Sequence, residues 1–244
     1  MTEFFHFANF TLKKDTPTPT KRKILLSIGG RSATCDFLKC ILPLFDRLYA
    51  VDRGLDIFCK SGVTPDFFIG DMDSASPSSL DFLTENKIET VKLEREKDDT
   101  DFQLCSKLAA QKEAEGCDVA VINALGGRLD HLLSNIFTFS NVAPPLFPFF
   151  MGDDRELLFF VRGGETLTFD FATLPRNISL LSLADKTEGV TITGAKWSLT
   201  NATLEQGKPY AISNELQSKT VTVTCTSGLL AFYILFSEED KLNG

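Results

Sequence analysis

Short apolar runs alternate with helix-like patterns through the first 150 residues. The runs at 24–28, 48–51, 67–69, 90–93, 119–122 and 146–150 have the length and the aliphatic or aromatic content of buried strands. Between them, Ser76 followed by Pro77 predicts a helix start, and Thr100 with Gln103 predicts a capping box on a helix that ends near Gly116. This alternation is typical of a parallel sheet covered by helices.

The pattern changes after residue 152 to strand-length segments separated by turn-rich stretches. Strands are predicted at 157–161, 166–171, 178–183, 190–192, 220–225 and 229–236, and no helix of normal length fits between them. We therefore predict an α/β N-terminal domain with a mainly parallel sheet over residues 1–152. An all-β sandwich C-terminal domain is expected over residues 153–244.

The composition of the chain argues against several kinds of partner and location for the protein. The net charge of −8, without a basic stripe, argues against binding to nucleic acid. No apolar run is long enough for a membrane span or a secretory signal, so we expect a cytoplasmic protein without membrane association. The six cysteines lack metal-binding spacing and are expected to be reduced thiols, and two histidines are too few for a histidine-rich metal site.

Acidic residues follow four of the predicted strands. Because the carboxyl ends of parallel strands meet at one edge of a sheet, these side chains are expected to gather there. In strand order they are Asp52, then Asp71 and Asp73, then Asp98 and Asp101, then Asp130, with Arg128 beside the last. Clustered carboxylates repel one another, and Mg²⁺ is the cation that such an all-oxygen set suits. The sequence therefore predicts a magnesium site, with Asp71 and Asp73 close enough together to share an ion.

The segment that follows the strand at 119–122 has features of a phosphate site. Gly126 and Gly127 let a ligand approach the backbone, Arg128 can bind phosphate oxygens, and Asp130 opens a helix whose first amides are exposed. Each motif alone has a simpler interpretation. The aspartates fit a solvated turn, Thr100 fits an ordinary helix cap, and the glycines fit a loop. Their joint placement at one sheet edge favours a nucleotide site.

Four stretches in this order resemble the thiamine pyrophosphokinase family: 50–56, 65–74, 98–102 and 126–131. In the C-terminal half, residues 194–199 and 212–215 are similar to the family's thiamine-binding segment. The sequence departs from the family pattern at one place. Where the family usually reads Asp-Gly-Gly-Ala-Asn, this chain has Asp52, Arg53, Gly54, Leu55 and Asp56.

The resemblance implies a homodimer with active sites shared between subunits, and it implies roles for individual residues. Asp71, Asp73 and Asp98 would hold Mg²⁺ and, with Arg128, form the catalytic set. ATP would be bound by Asp52, Gly54, Thr100, Asp101, Gly127, Arg128 and Asp130. Thiamine would be bound by Trp197, Ser213 and Asn214, and the indole of the single tryptophan suits a flat cationic ring.

The expected activity is transfer of pyrophosphate from ATP to the hydroxyl of thiamine, which yields thiamine diphosphate and AMP. Two alternatives stay open at this point. One is a pyrophosphokinase for another hydroxymethyl heterocycle, such as a pterin. The other is a non-catalytic sensor of nucleotide or thiamine, in which the altered segment 52–56 has lost productive ATP binding.

Overall fold

The chain folds as two compact units. The computed structural model describes residues 1–72, 76–94, 98–113 and 115–236. An α/β unit comprises Thr20–Asp153, and a β-rich unit combines Met1–Pro19 with the chain from Asp154 onward. The predicted fold classes of both parts are confirmed. The structure differs from the predicted domain limits at residues 1–19, which were expected in the α/β part.

The described residues contain fifteen strands and five α-helices. The strands are β1 (Thr2–His6), β2 (Phe10–Asp15), β3 (Arg22–Ser27), β4 (Arg47–Val51), β5 (Phe67–Gly70), β6 (Glu89–Lys92), β7 (Cys117–Ile122), β8 (Leu146–Gly152), β9 (Glu156–Arg162), β10 (Thr166–Phe171), β11 (Asn177–Ser182), β12 (Lys186–Thr193), β13 (Leu199–Glu205), β14 (Thr220–Thr224) and β15 (Leu229–Leu235). The helices are α1 (Cys35–Ile41), α2 (Leu55–Ser61), α3 (Pro77–Glu85), α4 (Asp101–Lys112) and α5 (Leu129–Ser140), with 3₁₀ turns at Leu42–Leu44 and Asp52–Gly54.

The α/β unit is built on six parallel strands in the order β8, β7, β3, β4, β5, β6. Every residue of β5 and β7 is buried, as expected for strands covered on both faces. All five helices belong to this unit. The loops that follow β3, β4, β5 and β7 emerge at the same sheet edge, where a ligand site is expected in an open parallel sheet.

Local signals set the starts of two helices next to that edge. Ser76 caps α3 by accepting a hydrogen bond from the Ser79 amide, and Pro77 occupies the first helical position. Thr100 and Gln103 form the predicted capping box on α4. This helix ends at Lys112 instead of near Gly116, because Glu113 already adopts an extended backbone conformation.

The β-rich unit is a sandwich of two antiparallel layers. One layer has the strand order β1, β2, β10, β14, β12, β13, and the other contains β11, β15 and β9. Phenylalanines fill the space between them: the ring of Phe169 on β10 lies 5.0 Å from those of Phe159 on β9 and Phe232 on β15. Residues 1–19 belong here because β2 pairs with β10 along six residues.

Three strands of the sandwich, β1, β2 and β13, were not predicted from the sequence. No helix in the described ranges has the length and apolar character needed to cross a membrane.

Candidate active site

A pocket of about 1050 Å³ lies at the predicted edge of the α/β sheet. Its walls come from the loops after β3, β4, β5 and β7 and from the starts of α4 and α5. The lining residues are Ile28, Gly29, Gly30 and Arg31; Val51, Asp52 and Arg53; Asp71; Thr100, Asp101 and Phe102; and Gly126, Gly127, Arg128, Asp130, His131, Ser134 and Asn135. The volume is at the upper end of the range for small-molecule sites.

Three carboxylates form the acidic side of this pocket: Asp52, Asp71 and Asp101. Asp52 has a positive φ of 47° at the end of β4, and its Oδ1 accepts a hydrogen bond from the Asp71 amide at 3.3 Å. Burial, a hydrogen bond with the Asp101 carboxyl and the nearby negative charges raise the pKa of Asp52 to about 7. The contribution of the neighbouring negative charges is the mutual repulsion expected of clustered carboxylates.

Gly70 allows Asp52 and Asp71 to come this close. A β-carbon at Gly70 would lie 2.1 Å from Oδ1 of Asp52, so no other residue fits there without displacing the carboxylate. The next residue but one, Met72, has a φ of 68°. Asp73 lies outside the described residues.

The predicted magnesium ligands are therefore placed unequally. Asp71 lines the pocket, whereas Asp98 is exposed and is not among the lining residues. Within the described part of the chain, no group of three histidine, cysteine or acidic side chains is arranged to hold a metal ion. The carboxylates of Asp52 and Asp71 suit a cation such as Mg²⁺, whose remaining ligands are water and phosphate oxygens.

The basic side of the pocket surrounds the start of α5. Gly126 and Gly127 have φ values of 72° and 74°, which favour glycine, and Arg128 is the N-cap residue of α5. The Arg128 guanidinium pairs with Asp130 through contacts of 3.1 and 2.5 Å, and both side chains are well exposed. This pairing lowers the pKa of Asp130 to about 2.

Gly54 and Thr100 were both predicted to bind ATP, and the structure gives each of them a structural contact. Gly54 is not among the lining residues. It packs beneath the pocket, where a β-carbon would lie 2.0 Å from the Ser27 carbonyl oxygen, and its own carbonyl accepts a hydrogen bond from the Ser27 hydroxyl at 2.7 Å. Thr100 does line the pocket, but its hydroxyl accepts a hydrogen bond from the Gln103 amide in the capping box.

Sequence reasoning missed the loop after β3, which contributes Gly29, Gly30 and Arg31 to the pocket. The signal was present, because these residues follow a buried strand as directly as Asp52 does. The Arg53 guanidinium donates hydrogen bonds to the carbonyl oxygens of Gly29 at 2.5 Å and Gly30 at 3.2 Å. The arginine that departs from the family pattern thus supports this loop.

The predicted thiamine residues lie together in the β-rich unit. The Asn214 side chain accepts a hydrogen bond from the Trp197 amide at 3.1 Å and donates one to the Trp197 carbonyl at 2.8 Å. Ser213 has a φ of 56°, and its amide donates to the Ser179 hydroxyl at 3.0 Å. The Trp197 side chain is well exposed, and the Lys196 ammonium lies 4.6 Å from the centre of its ring. The indole face therefore makes a cation–π contact within the chain.

Comparison with known families covers both units. Residues 43–147 match the family model "Thiamin pyrophosphokinase, catalytic domain", and residues 166–230 match "Thiamin pyrophosphokinase, vitamin B1 binding domain". Thiamine pyrophosphokinase 1 of rice (Oryza sativa subsp. japonica) is 26% identical over 68% of this chain and 64% of its own length. The thiamine pyrophosphokinase of Bacillus subtilis is 26% identical over 74% of this chain and 83% of its own. The alignment to the rice relative thus spans slightly less than two thirds of that protein.

Solved structures show the same fold. The thiamine pyrophosphokinase of Bacillus subtilis superposes with a TM-score of 0.73 at 22% identity, covering 88% of this chain and 100% of that chain. The yeast enzyme gives a TM-score of 0.68 at 14% identity, covering 90% and 88%. A catalytic-domain match on the unit with the acidic pocket, followed by a vitamin B1-binding match on the unit with Trp197, shows that the chain belongs to the thiamine pyrophosphokinase family of ATP-dependent pyrophosphotransferases.

Proposed function

We propose that this chain transfers the pyrophosphoryl group of ATP to the hydroxyl of thiamine, releasing AMP. The observation that carries the proposal is the pocket of the α/β unit, which combines Asp52, Asp71 and Asp101 with Arg128 inside the stretch that matches the catalytic domain. A pocket with carboxylates on one side and arginine on the other suits a metal-bound polyphosphate.

Arg128, Gly127 and the first turn of α5 bind the phosphates in this proposal. The positive φ of Gly127 and the lack of a side-chain cap on α5 support it, because amides at a helix start favour an anion. The Arg128 guanidinium exchanges its contact with Asp130 for phosphate oxygens when ATP enters. Both side chains are solvent-exposed, so water can solvate Asp130 after the exchange.

Asp71, Asp73 and Asp98 are proposed to hold Mg²⁺, which when bound would neutralise charge on the ATP phosphates. The position of Asp71 in the pocket and the raised pKa of its neighbour Asp52 support the assignment. Asp71 is also proposed to orient the thiamine hydroxyl and accept its proton. Asp52, Thr100 and Asp101 complete the nucleotide side of the pocket, and Gly54 contributes by holding the segment after β4 against β3.

Trp197, Ser213 and Asn214 are proposed to bind thiamine. Support comes from the exposed indole and from the two hydrogen bonds by which Asn214 fixes the Trp197 backbone. A heterocyclic cation would replace the Lys196 ammonium over the indole ring.

A homodimer with shared active sites is part of the proposal. The helix α5, which lines the pocket with Asp130 and His131, exposes Leu129, Leu133 and Phe137 at a spacing of four residues. Such an apolar stripe on a helix face fits burial against a second copy of the chain. We also propose a cytoplasmic location, which the six free thiols support because reducing compartments preserve thiols.

The test is AMP release from ATP, measured with and without thiamine and with and without Mg²⁺. We expect AMP only when both thiamine and Mg²⁺ are present, and we expect Asp71→Asn to reduce turnover by roughly 10²-fold or more. Asp81→Asn is the matched control, because Asp81 is exposed on α3 and does not line the pocket. Its turnover should equal that of the unaltered chain.

Other outcomes of the same assay separate the alternatives. AMP formation without thiamine would indicate a hydrolase. Thiamine binding without AMP formation would indicate a sensor. AMP formation with a hydroxymethylpterin but not with thiamine would move the activity to the other heterocycle.

A further inference from the structure

The loop after β3 places a second arginine in the acidic pocket. Arg31 lines the pocket, and 27% of its side chain is exposed. Its Nε and Nη2 atoms lie 2.7 and 2.6 Å from Oδ2 of Asp153. The Asp153 side chain is only 1% exposed, so this carboxylate is almost fully removed from water. A buried carboxylate depends strongly on its cationic partner, which makes this pair a firm anchor for the guanidinium.

Packing fixes the stem of the same side chain. The Arg31 amide donates a hydrogen bond to the Leu125 carbonyl at 3.0 Å. A β-carbon on Gly126 would lie 3.1 Å from both the β-carbon and Nη1 of Arg31, so Gly126 gives this arginine its space. Gly30 is confined more tightly, because a β-carbon there would lie 2.3 Å from the Asn123 carbonyl oxygen. Arg31 is thus held next to the glycines of the proposed phosphate loop.

The two other arginines of the pocket are placed differently. The Arg53 guanidinium donates hydrogen bonds to the carbonyls of Gly29 and Gly30, so it stabilises the loop after β3. Arg128 pairs with Asp130 at the surface, where 73% of its side chain is exposed and its conformation can change easily. Arg31 is the arginine of this set whose charge is anchored by a buried partner. Anchoring before the ligand arrives lowers the entropic cost of binding it.

We infer that Arg31 binds the phosphate chain of the nucleotide and that Asp153 is a positioning residue, which holds the Arg31 guanidinium toward the pocket. The inference rests on the proposed nucleotide site. Four carboxylates line the same pocket, so a polyphosphate needs fixed positive charge as well as a metal ion to bind there.

The test measures binding of ATP and of inorganic tripolyphosphate to the full chain by calorimetry in the presence of Mg²⁺. The principal variant is Arg31→Gln with Asp153→Asn, which replaces the ion pair by two neutral amides of similar size and leaves no buried lone charge. We expect its affinity for both ligands to fall by the same factor, roughly ten- to hundredfold. Arg31→Lys keeps the positive charge but lacks the planar guanidinium. Its affinity for both ligands should therefore lie between that of the unaltered chain and that of the double variant.

The matched control is Arg47→Gln, which removes an arginine that also pairs with an aspartate. Arg47 lies 2.9 Å from Asp66 and does not line the pocket. Its variant should bind both ligands as the unaltered chain does. Unchanged ATP affinity in the double variant would overturn the inference, and so would a loss for ATP with unchanged tripolyphosphate binding, because Arg31 would then contact the nucleoside.

Asp153 has its own test. Asp153→Asn should raise the KM for ATP with little change in kcat, and it should weaken ATP binding no further when Arg31→Gln is already present. If Asp153→Asn weakened ATP binding by the same factor in the Arg31→Gln variant as in the unaltered chain, Asp153 would not act through Arg31. Failure of the proposed function would give a different result, namely an unaltered chain that makes no AMP with thiamine. The role of Arg31 would still be tested in that case, because the binding of ATP and of tripolyphosphate is measured without the reaction.

Discussion

We predict that Asp52→Asn removes a pH-dependent destabilisation of the α/β unit. The Asp52 carboxyl is partly buried, accepts a hydrogen bond from the Asp71 amide and shares one with the Asp101 carboxyl. Desolvation is the main reason that its pKa rises to about 7, and the neighbouring carboxylates add to it. Asparagine keeps the acceptor for the Asp71 amide and can donate to Asp101, so the variant should retain the local geometry.

The direction of the effect follows from proton linkage. In the unfolded chain an aspartate has a pKa of about 3.9, so between pH 4 and 7 the folded state holds more protons at Asp52 than the unfolded state does. The free energy of unfolding should therefore decrease as the pH rises through this window and level off above pH 7. The difference in pKa corresponds to at most ~4 kcal/mol. Because the carboxyl is partly exposed, solvent screening reduces this to roughly 1–2 kcal/mol.

Urea unfolding at pH 5, 6, 7 and 8, in a metal-chelating buffer, measures this directly. Circular dichroism at the helix band reports on the α/β unit, because all five described helices belong to it. Above pH 7 the Asp52→Asn variant should be more stable than the unaltered chain, and the difference should shrink as the pH falls, to about a third of its full size at pH 5. The reasoning would be refuted if both proteins had the same pH slope. Asp81→Asn, which alters an exposed carboxylate on α3, is the control and should leave the slope unchanged.

Three further changes test other parts of the structure. Gly54→Ala should cost about 3 kcal/mol of folding stability in urea, at the upper end of the usual cost of overpacking, because the new β-carbon would lie 2.0 Å from the Ser27 carbonyl oxygen. Normal stability would contradict this packing. Asn214→Ala removes both hydrogen bonds to the Trp197 backbone and should weaken thiamine binding about tenfold by calorimetry, which corresponds to ~1.4 kcal/mol. Leu133→Asp should convert a dimer into a monomer in light scattering, and a persistent dimer would exclude the exposed face of α5 as the interface.

The sequence predicted the parallel strands of the α/β unit well, because β5 and residues 119–122 of β7 are apolar and are bounded by clear turn and cap signals. The hairpin of β1 and β2 escaped prediction for a physical reason. Lys14 sits at a core position of β2 with only 2% of its side chain exposed, 3.7 Å from the equally buried Glu165. A lysine at an inward position breaks the alternation by which a strand is recognised, and its partner is 151 residues away along the chain.

Strand β13 was missed for the opposite reason. Only Leu204 of its seven residues is buried, so its sequence resembles that of a surface loop. The strand is formed by main-chain pairing with β12, and the register of this pairing shifts twice. Main-chain pairing of this kind leaves no pattern in the side chains from which it could be predicted.

The pocket was predicted residue by residue only where strand ends carried acidic groups. The rule that located Asp52 and Asp71 applies equally to the end of β3, where it would have found Arg31. Its partner Asp153 could not have been identified in this way, because nothing in the sequence joins two residues that are 122 positions apart. Long-range ion pairs of this kind become visible only when the strand order is known.

The segment 52–56 departs from the family pattern, yet Asp52 and Arg53 both line the pocket. Gly54 is retained, and its contact with Ser27 leaves no room for a side chain. Two of the three altered residues tie neighbouring loops to the scaffold. Arg53 holds the carbonyls of the loop after β3, and Asp56 accepts a hydrogen bond from the Ser79 hydroxyl at 2.6 Å at the start of α3. The substitutions therefore act on the positions of the loops that carry Arg31 and Asp71, and in the proposed function these loops would position the phosphates and the metal ion.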